Sequence, residues 1–176
     1  SSLLSLARPG SDFAQKVKII SQIKELDADL ILLDLGAGSS LNVIDFFSMT
    51  NVGVVVTTPE PTSIINAYEF LKNVIYRIFF RLFRHQEEIL NIIRAGAHPN
   101  APNGGLFKSL MEEIAQVNPW AAQTAQEICA SLRFYLLFNQ ARNLDELELA
   151  KKLNHICERY LGLTLNVMGI VYHNEE

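Results

Sequence analysis

Residues Leu30-Ile31-Leu32-Leu33-Asp34-Leu35-Gly36-Ala37-Gly38 constrain the fold more than any other stretch. Four consecutive apolar residues read as a buried strand. They end in a single carboxylate, and a glycine-rich turn follows at once. Open α/β sheets bind their ligands at the carboxyl ends of strands, so this arrangement puts one charge and a pliable loop where such a sheet does its chemistry. The remaining pattern agrees with that class. A helix is predicted over residues 12–26, with Val17, Ile20 and Ile23 at helical spacing and Lys16, Lys18 and Lys24 as its charged positions. A short helix is predicted around Val43, Ile44, Phe46 and Phe47, and a second apolar strand over 52–56. Two apolar strands joined by a helix predict a parallel unit covered on both faces.

A loop with two prolines, Thr57-Thr58-Pro59-Glu60-Pro61-Thr62-Ser63, leads into a long helix predicted over 63–83, capped by Thr62 or Ser63. Helical pattern continues from 84 to 130 and is broken by a glycine, proline and asparagine loop at 96–105, which predicts a helical lobe on the same domain. A third strand is predicted over 134–138, stopped by Asn139. An amphipathic helix over 144–160 ends at Gly162, and a fourth strand covers 163–172. The expected architecture is a doubly wound α/β domain occupying all 176 residues.

Composition narrows the function. The chain is 49% hydrophobic with a formal charge of -4, which predicts a soluble globular protein without a general nucleic-acid surface. No run reaches the roughly 18 apolar residues of a membrane span. Cys129 and Cys157 have no close cysteine neighbour and read as reduced, partly buried thiols of a cytoplasmic protein. The opening residues carry neither a methionine start nor a secretory signal pattern, so the sequence is expected to continue upstream.

Asp34 suits Mg²⁺, which takes oxygen ligands and keeps several waters; it equally suits a turn carboxylate that accepts loop amides. Gly36 and Gly38 can bring backbone close to a terminal phosphate, or simply permit a sharp turn. The same Asp-Leu-Gly-Ala-Gly letters resemble the first motif of S-adenosylmethionine methyltransferases, with the third glycine falling at Ser40. The stretch Val54-Val55-Val56-Thr57-Thr58-Pro59-Glu60-Pro61-Thr62-Ser63, followed by Asn66, Ala67 and Tyr68, favours a different family. With it the chain resembles the MinD/ParA class of deviant P-loop ATPases. The likeness is closest to the MinD-like branch that includes flagellar-number and chromosome-partitioning ATPases, and it spans most of the chain.

That resemblance implies a three-layer parallel sheet of the P-loop type and a nucleotide-dependent dimer switch using ATP and Mg²⁺. Asp34 would be the Walker B carboxylate that positions the metal, and Gly36 and Gly38 the switch that senses the terminal phosphate. Thr58, Pro59 and Glu60 would line the nucleotide cleft, Asn139 would read adenine, and Arg142 would meet nucleotide or a neighbouring subunit. Self-association, a partner protein governed by nucleotide state and peripheral membrane contact of the intact protein follow from the same likeness. The departure is large, because no Gly-x-x-x-x-Gly-Lys-Ser/Thr occurs in the chain. The strand bearing that loop lies, in related folds, beside the strands at 30–33 and 52–56. These residues are therefore expected to be the carboxyl-terminal part of an ATPase, with unpaired backbone where that strand belongs and no hydrolysis of their own. A non-catalytic interaction protein is the competing expectation. The basic, aromatic stretch holding Lys72, Arg77, Phe79, Phe80, Arg81, Phe83 and Arg84 is expected to pack against the lobe rather than touch a membrane.

Overall fold

The computed structural model describes residues 13–98, 101 and 105–174. Three parallel strands, β1 (Val52–Thr57), β2 (Arg133–Ala141) and β3 (Leu165–Tyr172), form a sheet in the order β1-β2-β3. Each carries the β-branched and aromatic residues that favour a pleated, half-buried surface. Among the described residues seven α-helices accompany them: α1 (Phe13–Lys24), α2 (Leu41–Phe47), α3 (Pro61–Leu82), α4 (Glu87–Ala97), α5 (Phe107–Val117), α6 (Pro119–Ser131) and α7 (Leu147–Leu161), the last preceded by a 3-10 turn at Leu144–Glu146. The chain is thus α/β, with a small parallel sheet and a helical lobe, α4 to α6, between β1 and β2.

One face of the sheet is sealed. Phe134, Leu136 and Phe138 of β2 are buried together with Val55 and Leu165, and α3 and α7 lie side by side over that face, α3 against β1 and α7 against β3. Phe47 of α2 closes the same side, stacking edge-on against Phe70 and Phe134 with ring centroids 5.0 and 4.9 Å apart. Gly53 is the reason the ring fits, because a Cβ there would collide with Phe47. The opposite face remains open: Val52, Val54 and Val56 are exposed. Among the described residues the expected cover on both faces reduces to cover on one.

A second departure concerns the most telling segment. Residues 30–35 form no regular element and join no ladder among the described residues, and Leu30 and Leu32 are 86% and 85% exposed. The expected strand at 30–33 is therefore not formed. Sequence supplies the apolar side chains, but a strand also needs a neighbour for its N–H and C=O groups. β1 pairs with β2 along one edge, and its other edge has no partner among the described residues.

The helices lie close to the predicted positions, with informative differences. Asp12, the predicted first residue of α1, lies outside the described residues, as does part of the 96–105 loop. Neither Thr62 nor Ser63 caps α3; it starts at Glu60 with Pro61 at its first position, where a missing N–H costs nothing. The hydroxyls of Thr57 and Thr58 donate instead to the Ser63 carbonyl and hydroxyl, at 3.1 and 2.8 Å. α7 stops at Gly162, whose φ of +61° places it in the left-handed region favoured at helix ends. Phe79, Phe80 and Phe83 are buried, so the aromatic stretch of α3 is core. Among the described residues no helix is long and apolar enough to cross a membrane.

Candidate functional site

Parallel strands leave a sheet from the same end, and that rule assembles the candidate site. Thr57 pairs with Phe138, so Thr58-Pro59-Glu60 leaves the carboxyl end of β1 beside Asn139 near the end of β2. Thr58 and Pro59 are half-buried and Glu60 is exposed. Thr58 is fixed through its bond to Ser63.

Asn139 does not stop β2, which continues to Ala141. A ladder irregularity between Phe138 and Ala141 and a φ of +58° at Gln140 make a bulge there. The Asn139 side-chain oxygen accepts the Gln140 N–H at 3.0 Å. The residue is exposed, and its amide NH₂ is a donor which that bond does not use. The Arg142 N–H donates to Glu146 at 2.9 Å, fixing the loop while the Arg142 residue stays exposed.

Asp34 is exposed at the end of the unladdered segment. One carboxylate oxygen accepts the Gly36 N–H at 3.0 Å, the turn geometry short acidic side chains favour. Gly36 and Gly38 have φ of +69° and +101°, and a Cβ on either would meet nothing within 4 Å. Both glycines therefore serve backbone conformation here rather than a close approach. Leu35 packs on the core and anchors the turn. No hydrogen bond or ladder joins Asp34 to the Thr58 and Asn139 loops among the described residues, so two of the three predicted parts of the site share a sheet end and the third stands on its own turn.

The other Asp34 oxygen is open to a cation. Among the described residues no group of three His, Cys, Asp or Glu could hold a metal ion. One carboxylate fits the way Mg²⁺ is usually held, by one or two protein oxygens with water and phosphate filling the remaining positions.

Charge is concentrated elsewhere. Lys16 is buried rather than a solvent-facing position of α1, and its ammonium donates to Asp45 at 2.8 Å. Arg77 of α3 donates to the other Asp45 oxygen at 2.6 Å. Arg81 reaches the Ser48 carbonyl at 2.9 Å. Burial by itself raises the Asp45 carboxyl, but the hydrogen bonds and charges of Arg77 and Lys16 outweigh it and leave the group below its ordinary value. Burial lowers Arg81, against the opposing pull of Asp45. The sequence signal for this cluster was one acid inside the mostly apolar α2, Leu-Asn-Val-Ile-Asp-Phe-Phe. It ties α1, α2 and α3 together under the sheet.

No protein-family model matches the chain, and no curated protein does.

Proposed function

We propose that these residues belong to an ATP-binding and ATP-hydrolysing protein of the MinD/ParA type, acting as a nucleotide-dependent dimer switch. The observation that carries the reading is the shared sheet end of Thr58-Pro59-Glu60 and Asn139. Parallel α/β sheets bind ligands at that end. The unladdered apolar residues 30–33 and the unpaired edge of β1 support it too, because the family's phosphate-loop strand would lie between them and complete a P-loop sheet.

In this reading the Asn139 amide contacts adenine, its donor and acceptor suiting the ring nitrogen and exocyclic amine. Asp34 holds Mg²⁺ through its open oxygen, directly or through water, and bound Mg²⁺ supplies neutralisation of the triphosphate charge. Gly36 and Gly38 let the following turn change with the state of the terminal phosphate. Thr58, Pro59 and Glu60 line the cleft, and Arg142 reaches nucleotide or the second subunit. The uncovered sheet face favours a second reading, a non-catalytic interaction protein that docks through Val52, Val54 and Val56.

The test is Asp34→Asn in the full-length protein. Mg²⁺-dependent ATP hydrolysis falls on the order of 100-fold, about 2.7 kcal/mol of barrier, while nucleotide affinity stays within about threefold. Equal hydrolysis by the two proteins rejects the role of Asp34. Absence of ATP binding by the intact protein rejects the class.

A further inference from the structure

A cavity of about 140 Å³ lies among α3, α4 and α7, walled by Tyr68, Lys72, Tyr76, His98, Tyr160 and Leu161 with Gly96 and Gly105; His98 has an interaction of its own. Its construction is legible in the chain. Tyr68, Lys72 and Tyr76 stand four residues apart and so share one face of α3. Tyr160 comes from the last turn of α7 and Gly96 from the end of α4.

Lys72 and the three phenolic hydroxyls make no hydrogen bond or ion pair among the described residues. Tyr76 is the most enclosed of the four, at 4% exposed, while Tyr68, Lys72 and Tyr160 are half-buried. Burial pushes the Tyr76 hydroxyl up to about 12. Burial foremost, then the charges of Glu69, Cys157, Tyr76 and Tyr160, push Tyr68 to about 12 as well. Both stay protonated at neutral pH and can donate. Among the described residues no Asp or Glu lines the cavity, and an ammonium has donors only. What the walls lack is an acceptor carrying negative charge.

We propose that this cavity binds a small oxyanion, a phosphate or carboxylate group, through the Lys72 ammonium and the hydroxyls of Tyr68, Tyr76 and Tyr160. The size suits it. A water needs roughly 10–15 Å³ of such volume, so the space takes a tetrahedral or planar anion with a few further atoms. The carboxyl ends of α4 and α7 at the rim oppose an anion, but only with a fraction of a unit charge each, against the full charge on Lys72. The α7 end is further quenched, since Gly162 and Leu163 donate to the Glu158 and Cys157 carbonyls at 3.2 and 3.3 Å.

The test is a titration of the full-length protein carrying ¹³C-labelled tyrosine rings with inorganic phosphate and, separately, acetate, at ionic strength held constant with chloride. Signals are assigned by single Tyr→Phe variants. Tyr68, Tyr76 and Tyr160 shift saturably, while Tyr135 and Tyr172 on the sheet stay still and report an intact fold. The tighter of the two probes identifies the head group. Lys72→Met weakens binding at least about tenfold and Tyr76→Phe a few-fold, as loss of charge-assisted and neutral hydrogen bonds respectively requires. Equal shifts of all five signals, no saturation by about 50 mM of either probe, a range where a real site of this strength is filled, or unchanged binding in Lys72→Met each overturn the proposal.

Discussion

Replacing Asp45 by Asn removes a negative charge from a cluster in which Lys16 and Arg77 are nearly sealed from water, while keeping the volume of the side chain. Lys16 is 7%, Arg77 3% and Asp45 1% exposed. In the native cluster each carboxylate oxygen accepts from one cation, at 2.8 and 2.6 Å. In the variant one oxygen becomes an NH₂, so a donor faces a donor and both cations lose the charge of Asp45. Removing one member of a buried ion pair costs about 3–5 kcal/mol. The retained carbonyl keeps one hydrogen bond, which puts the expected loss near 3 kcal/mol, about a hundredfold in the folding constant. Against a total of about 5–15 kcal/mol that is a large share. Urea denaturation followed by helix circular dichroism is the assay, because the single tryptophan of these residues, Trp120, is exposed and reports little. Lys16→Met leaves Asp45 its Arg77 partner and should cost less. The acid limb gives a second reading. Because the folded-state Asp45 value is lowered, its contribution is complete above the ordinary carboxylate range and is lost as pH falls through the lowered value. The gap between wild type and Asp45→Asn therefore closes in acid. A loss below about 1 kcal/mol at neutral pH, or a smaller loss than Lys16→Met causes, refutes the reasoning, since a buried pair broken on one side costs more than that.

Gly162→Ala forces a side chain into the left-handed region at φ +61° and drives its Cβ into the Phe107 ring; the urea midpoint should fall by the equivalent of at least about 1–2 kcal/mol, and an unchanged midpoint contradicts the packing of Phe107 on the end of α7. Burial pushes the Cys129 and Cys157 thiols up to about 12, with Glu158 adding to the second; at pH 8 a thiol reagent should modify neither until denaturant is added, and stoichiometric labelling of native protein within minutes would show that the two are accessible.

Helices were legible because their information is local. The 3.6-residue spacing of apolar positions, the proline at the start of α3 and the glycine after α7 act within a few residues of themselves, so α1 to α7 appear close to where the sequence puts them. The strands β1 to β3 were equally plain as apolar runs. Residues 30–33 carry the same signal and form no ladder, because a strand is completed by the backbone of a neighbour that no local pattern encodes. Asn139 shows the same limit at smaller scale. An asparagine after five apolar residues suggests a stop, yet pairing with β3 carries β2 through it by way of a bulge.

By itself the sequence determined an α/β chain with parallel strands, a helical lobe, and polar loops at strand ends bearing Thr58, Glu60 and Asn139. Tertiary structure alone decided that Lys16 is interior rather than solvent-facing, since its burial depends on Asp45, 29 residues along the chain, and on Arg77, a further 32 residues beyond Asp45. It also decided that Tyr68, Lys72 and Tyr76 meet Tyr160 across a cavity, and that one face of the sheet is sealed while the other is open. The physical division is one of range: periodicity and backbone preference act along the chain, whereas charge pairing, strand pairing and cavity walls depend on residues that only folding brings together.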